Sequence, residues 1–265
     1  MKHKNKVAII TGGALGYKAG GSSIGGAIAF KLAKDEYKIV IVDLSDMGQK
    51  TVDTINKDGG EAIFLKKDVT KTEDVKRIID TTIDKFGAIT CLVNCVARYG
   101  TGMAKNIVDI SEEEWAKTLN VNLGGYFLMA KYVIPEMLKS GGGSIVNISS
   151  IESAVALPNF SVYSVSKGAI DALTRTIAVD FAPKIRANSV LPGFVKIANS
   201  EGNRTLDELD KWYREIARQY PMQRVCEVNE IASVVSFLVS EKASYINGQS
   251  IVVDGGKGIS DIHEF

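Results

Sequence analysis

The chain has 265 residues, enough for one α/β domain with a large buried core. Its 32 Lys and Arg residues balance 31 Asp and Glu residues and are scattered, which excludes the basic footprint of a nucleic-acid-binding protein. No apolar run approaches the ~18 residues of a membrane span, and the run at 7–10 is too short for a signal peptide. We therefore predict a cytoplasmic protein with small-molecule partners and no nucleic-acid or membrane partner.

The cysteines and histidines argue against two kinds of site. Cys91, Cys95 and Cys226 are an odd number without disulfide or metal-binding spacing. His3 and His263 lie at opposite ends of the chain, which argues against a histidine-based triad or metal site. We predict buried thiols and no metal.

Short β-branched runs alternate with longer amphipathic stretches along the whole chain. This alternation is typical of a parallel sheet covered by helices on both faces, and no linker divides residues 1–265. Capping patterns predict helix starts at Ser111, with Glu114, and at Thr205, with Glu208. The long connection at residues 196–225 contains its own helix and predicts a substrate lid, or a helix that simply packs on the sheet edge. The predicted strands lie at residues 7–11, 39–43, 62–66, 89–93, 144–148, 186–190 and 250–253.

The first predicted strand runs into a glycine-rich turn that ends at a helix. Such a turn lets backbone amides and the positive end of the helix approach a pyrophosphate, so it predicts a dinucleotide cofactor. The residues predicted to hold the cofactor here are Gly12, Gly13, Ser23, Ile24 and Gly25.

Asp43 ends the second predicted strand, more than ~20 residues after the start of this turn, as a dinucleotide site expects. A carboxylate there accepts hydrogen bonds from both adenosine ribose hydroxyls and repels a 2′-phosphate, which favours NAD over NADP; a solvated strand end is the alternative. Lys18, inside the turn, keeps NADP open as the less favoured cofactor. Asp68 and Val69 follow the third strand and are predicted either to flank the adenine or to form an ordinary loop.

A predicted helix from Phe160 carries the segment Tyr163-Ser-Val-Ser-Lys167. A spacing of four residues places the phenol and the ammonium on one helical face. A nearby positive charge favours the phenolate, so the pKa of Tyr163 is expected to fall towards neutrality. The pair alone is weak evidence, because such spacing also arises by chance.

Together with the turn, these residues resemble the short-chain dehydrogenase/reductase family over nearly the whole chain. The resemblance implies a single Rossmann-type, doubly wound parallel sheet, nicotinamide binding, hydride transfer, and a homodimer or homotetramer packed through the helices at 111–139 and 160–181. The matching segments, in order, are Thr11-Gly-Gly13, Ser23-Ile-Gly25, Leu92-Val-Asn94, Val121-Asn-Leu123, Ile145-Val-Asn-Ile-Ser-Ser150, Tyr163 to Lys167, Pro192-Gly193, Asn247-Gly-Gln249 and Val253-Asp-Gly-Gly256.

The resemblance also implies roles. Tyr163 matches the family's general acid/base, and Lys167 the residue that lowers its pKa and holds the nicotinamide ribose. Ser150, thirteen positions before Tyr163, matches the hydroxyl that holds the substrate oxygen. Asn122 matches the asparagine of a proton relay to Lys167, or is a helix asparagine bonded to backbone. Asn94 matches a residue that stabilises the central strands.

Three stretches depart from the family pattern. The glycine turn is about seven residues longer than usual, with Ser23 at the middle glycine position. The family's Asn-Asn-Ala-Gly reads here as Asn94-Cys-Val-Ala97, where the thiol is expected to be a packing variant, with a redox switch as the alternative. After Pro192 and Gly193 the family usually has a threonine where this chain has Ile197, so the cofactor's carboxamide is expected to meet Asn199, Ser200 or the Val195 backbone instead.

Residues flanking the expected nicotinamide end are predicted to set specificity: Arg98, Tyr99, Glu152, Phe194 and the lid, around Ser150 and Tyr163. The two charged residues favour a sugar or polyol, unless they point to solvent. The leading hypothesis is an NAD(H)-dependent oxidoreductase interconverting a secondary alcohol and a ketone. The alternatives are an NADPH-dependent reductase of the 3-oxoacyl type and a non-catalytic NAD-binding regulatory protein on the same fold.

Overall fold

A computed structural model describes residues 5–16, 23–99, 104–198, 202 and 204–260. The strands are β1 (Val7–Thr11), β2 (Lys38–Asp43), β3 (Ala62–Lys66), β4 (Cys91–Asn94), β5 (Gly143–Ile148), β6 (Ile185–Pro192), β7 (Val195–Lys196), β8 (Cys226–Glu227) and β9 (Ser250–Val253). The α-helices are α1 (Ile24–Lys34), α2 (Met47–Lys57), α3 (Thr72–Phe86), α4 (Glu112–Leu119), α5 (Gly125–Lys139), α6 (Ser161–Asp180), α7 (Leu206–Ala217) and α8 (Val228–Val239).

Seven of these strands form one parallel sheet in the order β3-β2-β1-β4-β5-β6-β9, while β7 and β8 pair separately. This is the predicted doubly wound α/β fold. The predicted bounds of β1, β3 and β9 are confirmed, and the other strands of the sheet differ by one or two residues. The chain turns in opposite directions from β1, to β2 on one side and towards β4 on the other, which opens a crevice at their carboxyl ends.

Alternation along β1 shows how the sheet is buried on both sides. Ala8 and Ile10 belong to a core cluster that includes side chains of α1 and α8. Val7 and Ile9 belong to a second cluster with side chains of α3 and α5. Because successive strand residues point to opposite faces, two helical layers hold one rigid sheet.

The helical stretch that begins after Ser111 has a break near its middle. Ser111 accepts a hydrogen bond from the Glu114 N–H, as predicted, and α4 then passes into a π-helical segment at Asn120–Gly124 before α5 begins. Gly141 and Gly142, both with positive φ, follow the end of α5. The π segment places Asn122 in the interior, completely buried.

Within the described part of the chain, no helix is long and apolar enough to span a bilayer.

Candidate active site

The glycine turn packs closely against the first turn of α1. A Cβ on Gly25 would lie 2.1 Å from the Gly12 carbonyl oxygen, and Gly12 itself has a φ of +68°. The Ser23 hydroxyl accepts a hydrogen bond from the Gly26 N–H at 3.0 Å and donates to the Ala14 carbonyl at 2.6 Å. The described parts of the turn, up to residue 16 and from residue 23, and the positive end of α1 therefore fit the pyrophosphate of a dinucleotide.

Asp43 lies beside this turn at the end of β2. Its carboxylate accepts hydrogen bonds from the Ala14 N–H at 3.1 Å and the Ser45 N–H at 2.9 Å. It therefore ties the second strand to the glycine turn, at the position where an adenosine ribose is expected. Lys18 lies outside the described residues.

Asp68 and Val69 follow β3. The Asp68 carboxylate accepts hydrogen bonds from the N–H and the hydroxyl of Thr70, and its backbone N–H donates to Asp74. Val69 is 5% exposed, and its side chain lies 2.8 Å from the place of a Cβ on Gly125. These contacts organise a turn before α3, and contact with an adenine stays a prediction.

Tyr163 and Lys167 lie one turn apart near the start of α6, as their spacing predicts. The Lys167 Nζ is 5.5 Å from the centroid of the Tyr163 ring and donates a 2.9 Å hydrogen bond to the Ile148 carbonyl oxygen. The Tyr126 hydroxyl donates to the same carbonyl at 3.0 Å. Tyr126 is not among the residues predicted from the sequence, because only the packing of α5 against β5 brings its hydroxyl to this carbonyl.

The predicted fall in the pKa of Tyr163 is wrong for this state of the site. Burial raises the pKa of Tyr163 well above its usual value; the Glu152 carboxylate adds to this effect, and a hydrogen bond with Ser150 opposes it. Burial also lowers the pKa of Lys167 to about 8. Spacing along the helix did not reveal that the two groups share a desolvated environment, in which both charged forms are disfavoured.

Ser150 follows β5 and is 6% exposed. Its oxygen accepts the Glu152 N–H at 3.4 Å, and its hydroxyl donates to the Glu152 carboxylate. The neighbouring Ser149 hydroxyl instead donates to the Lys167 backbone carbonyl at 3.0 Å. Ser150 therefore faces the site beside Tyr163, whereas Ser149 fastens β5 to α6.

The two asparagines bind to other protein groups. The Asn122 Oδ1 accepts the Arg98 N–H at 2.6 Å, and its Nδ2 donates to the Arg98 carbonyl at 3.3 Å and to the Ser166 hydroxyl at 3.2 Å. These bonds match the backbone-bonded alternative for Asn122, and its part in a proton relay stays a prediction. The Asn94 Nδ2 donates to Asn147 at 2.9 Å, which links β4 to β5 as expected.

Arg98 also forms an ion pair. Its guanidinium donates three hydrogen bonds, of 2.8 to 3.0 Å, to the Glu114 carboxylate at the start of α4. This geometry favours a role in positioning the loop after β4 over the predicted contact with substrate.

The lid region contains the predicted helix, α7, with both bonds of the capping box from Thr205 to Glu208. The Phe194 ring lies 5.3 Å from the Trp212 ring centroid and 6.4 Å from that of Tyr213. The Tyr220 hydroxyl accepts the Phe194 N–H at 2.9 Å. The described part of residues 196–225 therefore packs on Phe194, and a lid function for it stays a prediction.

The end of β6 completes this side of the crevice. Gly193 donates its N–H to the Val253 carbonyl at 3.0 Å, and a Cβ there would lie 3.0 Å from the Asp254 Cα. Val195 is 6% exposed in β7, directly after the Pro192-Gly193 turn. This close backbone packing fits the predicted cofactor contact of Val195, which stays a prediction. Asn199 and Ser200, the alternatives for that contact, lie outside the described residues.

The rings of Tyr99 and Phe160 pack beside that of Tyr163. Their rings stack with centroids 6.5 Å apart, and the Tyr99 ring lies 5.8 Å from that of Tyr163 in an edge arrangement. Tyr99 is 61% exposed. Tyr99 is one of the residues predicted from the sequence to set specificity, whereas Phe160 is predicted there only as the start of the helix.

Among the described residues, no group of three or more His, Cys, Asp or Glu side chains is arranged to hold a metal ion. His3 and His263 lie outside those residues. The fold, the glycine turn and the Ser150, Tyr163 and Lys167 side chains together define a nicotinamide-dependent oxidoreductase.

Comparisons with known proteins agree with this class of enzyme. A profile of the family described as Enoyl-(Acyl carrier protein) reductase matches residues 19–257. Glucose 1-dehydrogenase 2 of Bacillus subtilis (strain 168) is 32% identical, over 95% of this chain and 94% of its own. The NADP-dependent (R)-specific alcohol dehydrogenase of Lentilactobacillus kefiri is 35% identical, over 96% of both chains. The ligand-free structure of Thermoplasma acidophilum aldohexose dehydrogenase superposes with a TM-score of 0.85 at 33% identity, over 97% of this chain and 96% of that one.

The chain therefore belongs to the short-chain dehydrogenase/reductase family, as its motifs predict, and is an NAD(P)-dependent oxidoreductase.

Proposed function

We propose that this enzyme interconverts a secondary alcohol and a ketone with NAD(H), acting on a sugar or polyol. The observation that supports this most directly is the convergence of Ser150, Tyr163 and Lys167 at the carboxyl end of β5 and the start of α6. A glucose dehydrogenase among the relatives and an aldohexose dehydrogenase among the similar structures support the sugar or polyol class.

The residues divide the proton chemistry between them. When bound, the nicotinamide supplies the hydride acceptor or donor. The Tyr163 phenol gives a proton to the substrate oxygen in reduction and takes one in oxidation. Ser150 holds the same oxygen by a hydrogen bond that strengthens as negative charge develops there. Lys167 places a positive charge behind the phenol.

Turnover tests this proposal. The absorbance of reduced nicotinamide is followed with sugars, polyols, hydroxy acids, simple ketones and a 3-oxoacyl thioester, using both cofactors. Tyr163→Phe is expected to lower kcat by about 10²–10⁴-fold while NADH binding is retained, because only the acid/base hydroxyl is lost. Tyr245→Phe is the matched control, since Tyr245 is fully exposed. Equal turnover by Tyr163→Phe and wild type would refute the mechanism.

The preference for NAD rests on Asp43. Asp43→Ala is expected to weaken NAD⁺ binding more than NADP⁺ binding, because the carboxylate that accepts the ribose hydroxyls and repels a 2′-phosphate is removed. Asp46→Ala removes the same charge three residues further on, from an exposed side chain paired with Lys66, and is expected to leave the ratio unchanged. An unchanged ratio in Asp43→Ala would reject the preference.

We also infer that the chain forms a homodimer or homotetramer through the two helices that the family resemblance names. Apolar side chains on these helices are exposed: Phe127 (49%) on α5, and Val165 (47%) and Val179 (78%) on α6. Light scattering after gel filtration measures the assembly, and a monomer at micromolar concentration would contradict the inference.

A further inference from the structure

Glu152 lies in the active site without a part in the chemistry described above. Glu152 is half-buried and belongs to the short 3₁₀ turn Ile151–Ser153 that follows Ser150. Its carboxylate accepts a hydrogen bond from the Ser150 hydroxyl. Its own N–H donates to the Ser150 oxygen at 3.4 Å. The carboxylate is therefore held against the hydroxyl that is expected to bind the substrate oxygen.

The Glu152 charge is felt by ionisable groups of the site. The Lys167 charge attracts the Glu152 carboxylate and opposes the rise that burial causes in the Glu152 pKa. The Glu152 charge in turn raises the pKa of three phenols, those of Tyr163 on α6, Tyr99 in the loop after β4 and Tyr220 in the 196–225 connection. The carboxylate that is bonded to Ser150 therefore also acts electrostatically on Tyr163.

Ser150 has one proton to donate in a hydrogen bond, and this limits which substrates the site can bind well. A serine hydroxyl has a single proton, and here that proton goes to Glu152. A substrate oxygen that needs a hydrogen bond from Ser150 must therefore compete with a carboxylate, which is the stronger acceptor. A second hydroxyl on the substrate removes this competition, because it can donate to Glu152 in place of Ser150.

We propose that Glu152 selects substrates that carry a hydroxyl on the carbon next to the reacting carbinol or carbonyl, accepting a hydrogen bond from that hydroxyl and releasing the Ser150 proton for the reacting oxygen. The substrate class is then vicinal diols and α-hydroxy ketones, and simple secondary alcohols are poorer substrates. This inference rests on the proposed secondary-alcohol chemistry and names the substrate feature that the site reads.

The experiment compares the best vicinal-diol substrate of the panel with its analogue lacking the neighbouring hydroxyl. Wild type is expected to prefer the diol in kcat/KM. Glu152→Ala is expected to lower this preference about tenfold or more, because a hydrogen bond to a charged acceptor is lost only for the diol. Activity on the analogue is expected to rise, because Ser150 is released. Glu152→Gln keeps the size of the side chain and one acceptor oxygen. Its preference for the diol in kcat/KM is expected to lie between those of wild type and Glu152→Ala.

Glu61→Gln serves as the control, since Glu61 is exposed at 55% and its removal changes the net charge equally. If Glu152→Ala and Glu152→Gln each lower kcat/KM equally on both substrates, Glu152 has only a structural role and the inference is overturned. A wild type whose substrates all lack the neighbouring hydroxyl would also overturn it, although the Tyr163 chemistry would then stand. A wild type that turns over nothing in the panel would instead refute the proposed function, and the inference with it.

Discussion

Lys167 gives the sharpest test of how this site is built, because its burial costs stability. Its side chain is 2% exposed, and desolvation lowers its pKa from 10.5 to about 8. One pKa unit corresponds to about 1.4 kcal/mol, so holding the charged amine in the fold at pH 7 costs about 3 kcal/mol. The unfolded chain binds more protons between about pH 8 and 10.5, so stability rises with pH across that window and the full cost applies below it.

Lys167→Met removes this cost and keeps a side chain of similar length. The Ile148 carbonyl retains the Tyr126 hydroxyl as a donor at 3.0 Å, so no buried oxygen is orphaned. Losing the hydrogen bond from the charged ammonium costs about 2 kcal/mol. The variant is therefore expected to be about 1 kcal/mol more stable than wild type at pH 7, while turnover is lost.

Urea unfolding at one protomer concentration, at pH 7 and pH 10, measures the difference between variant and wild type. The gain is expected to shrink as the pH rises, because wild-type Lys167 then loses its proton. Lys139→Met is the control on the surface, where Lys139 is 72% exposed and pairs with Glu136; its stability is expected to match wild type at both pH values. A Lys167→Met protein that is no more stable at pH 7 would refute the desolvation argument.

Three further predictions concern the turn, the loop after β4 and the thiols. Gly25→Ala places a Cβ 2.1 Å from a backbone oxygen and is expected to weaken NADH binding at least about tenfold and lower Tm; Gly168→Ala, whose Cβ would meet only an oxygen at 3.9 Å, is the control, and equal binding by the two would contradict the close-packing argument. Arg98→Gln is expected to change the substrate KM by less than about threefold, since the guanidinium binds Glu114; a much larger rise would restore Arg98 as a substrate contact. All three thiols have a pKa raised to about 12, mainly by burial, so the folded protein is expected to react slowly with a thiol reagent at pH 8 and rapidly once unfolded, and a fast thiol in the folded protein would refute this.

Much of the fold could be predicted because its signals are local. The β-branched run of β1 and the Thr205 capping box are each complete within a few residues, and both lie where the sequence places them. The Tyr163 and Lys167 spacing is equally local, since a helix brings residues four apart onto one face. Features of this kind need no knowledge of the rest of the chain.

The environment of the site could not be predicted in the same way. Arg98 was predicted to contact the substrate. In the structure its guanidinium binds the carboxylate of Glu114, sixteen residues further on at the start of α4. Nothing in the sequence indicates that these two residues pair. The pKa of Tyr163 depends on burial under several elements and on Glu152, and neither follows from helical spacing. Pairing and desolvation are properties of the packed chain, so motif matching could name candidate catalytic residues but not their charge states.

These charge states suggest which direction of the reaction the protein's own residues favour. With its pKa raised, the Tyr163 phenol keeps its proton at neutral pH and is ready to donate it to a carbonyl oxygen, which is the step required in reduction. Oxidation first requires the phenolate, which Glu152 disfavours. The Lys167 ammonium that would stabilise it donates instead to the Ile148 carbonyl. We therefore expect the rate of oxidation to rise, and that of reduction to fall, as this one phenol loses its proton at high pH, and we expect Glu152→Gln to move both the oxidative and the reductive limb to lower pH. An oxidative limb that is unmoved in this variant would contradict the electrostatic link between Glu152 and Tyr163.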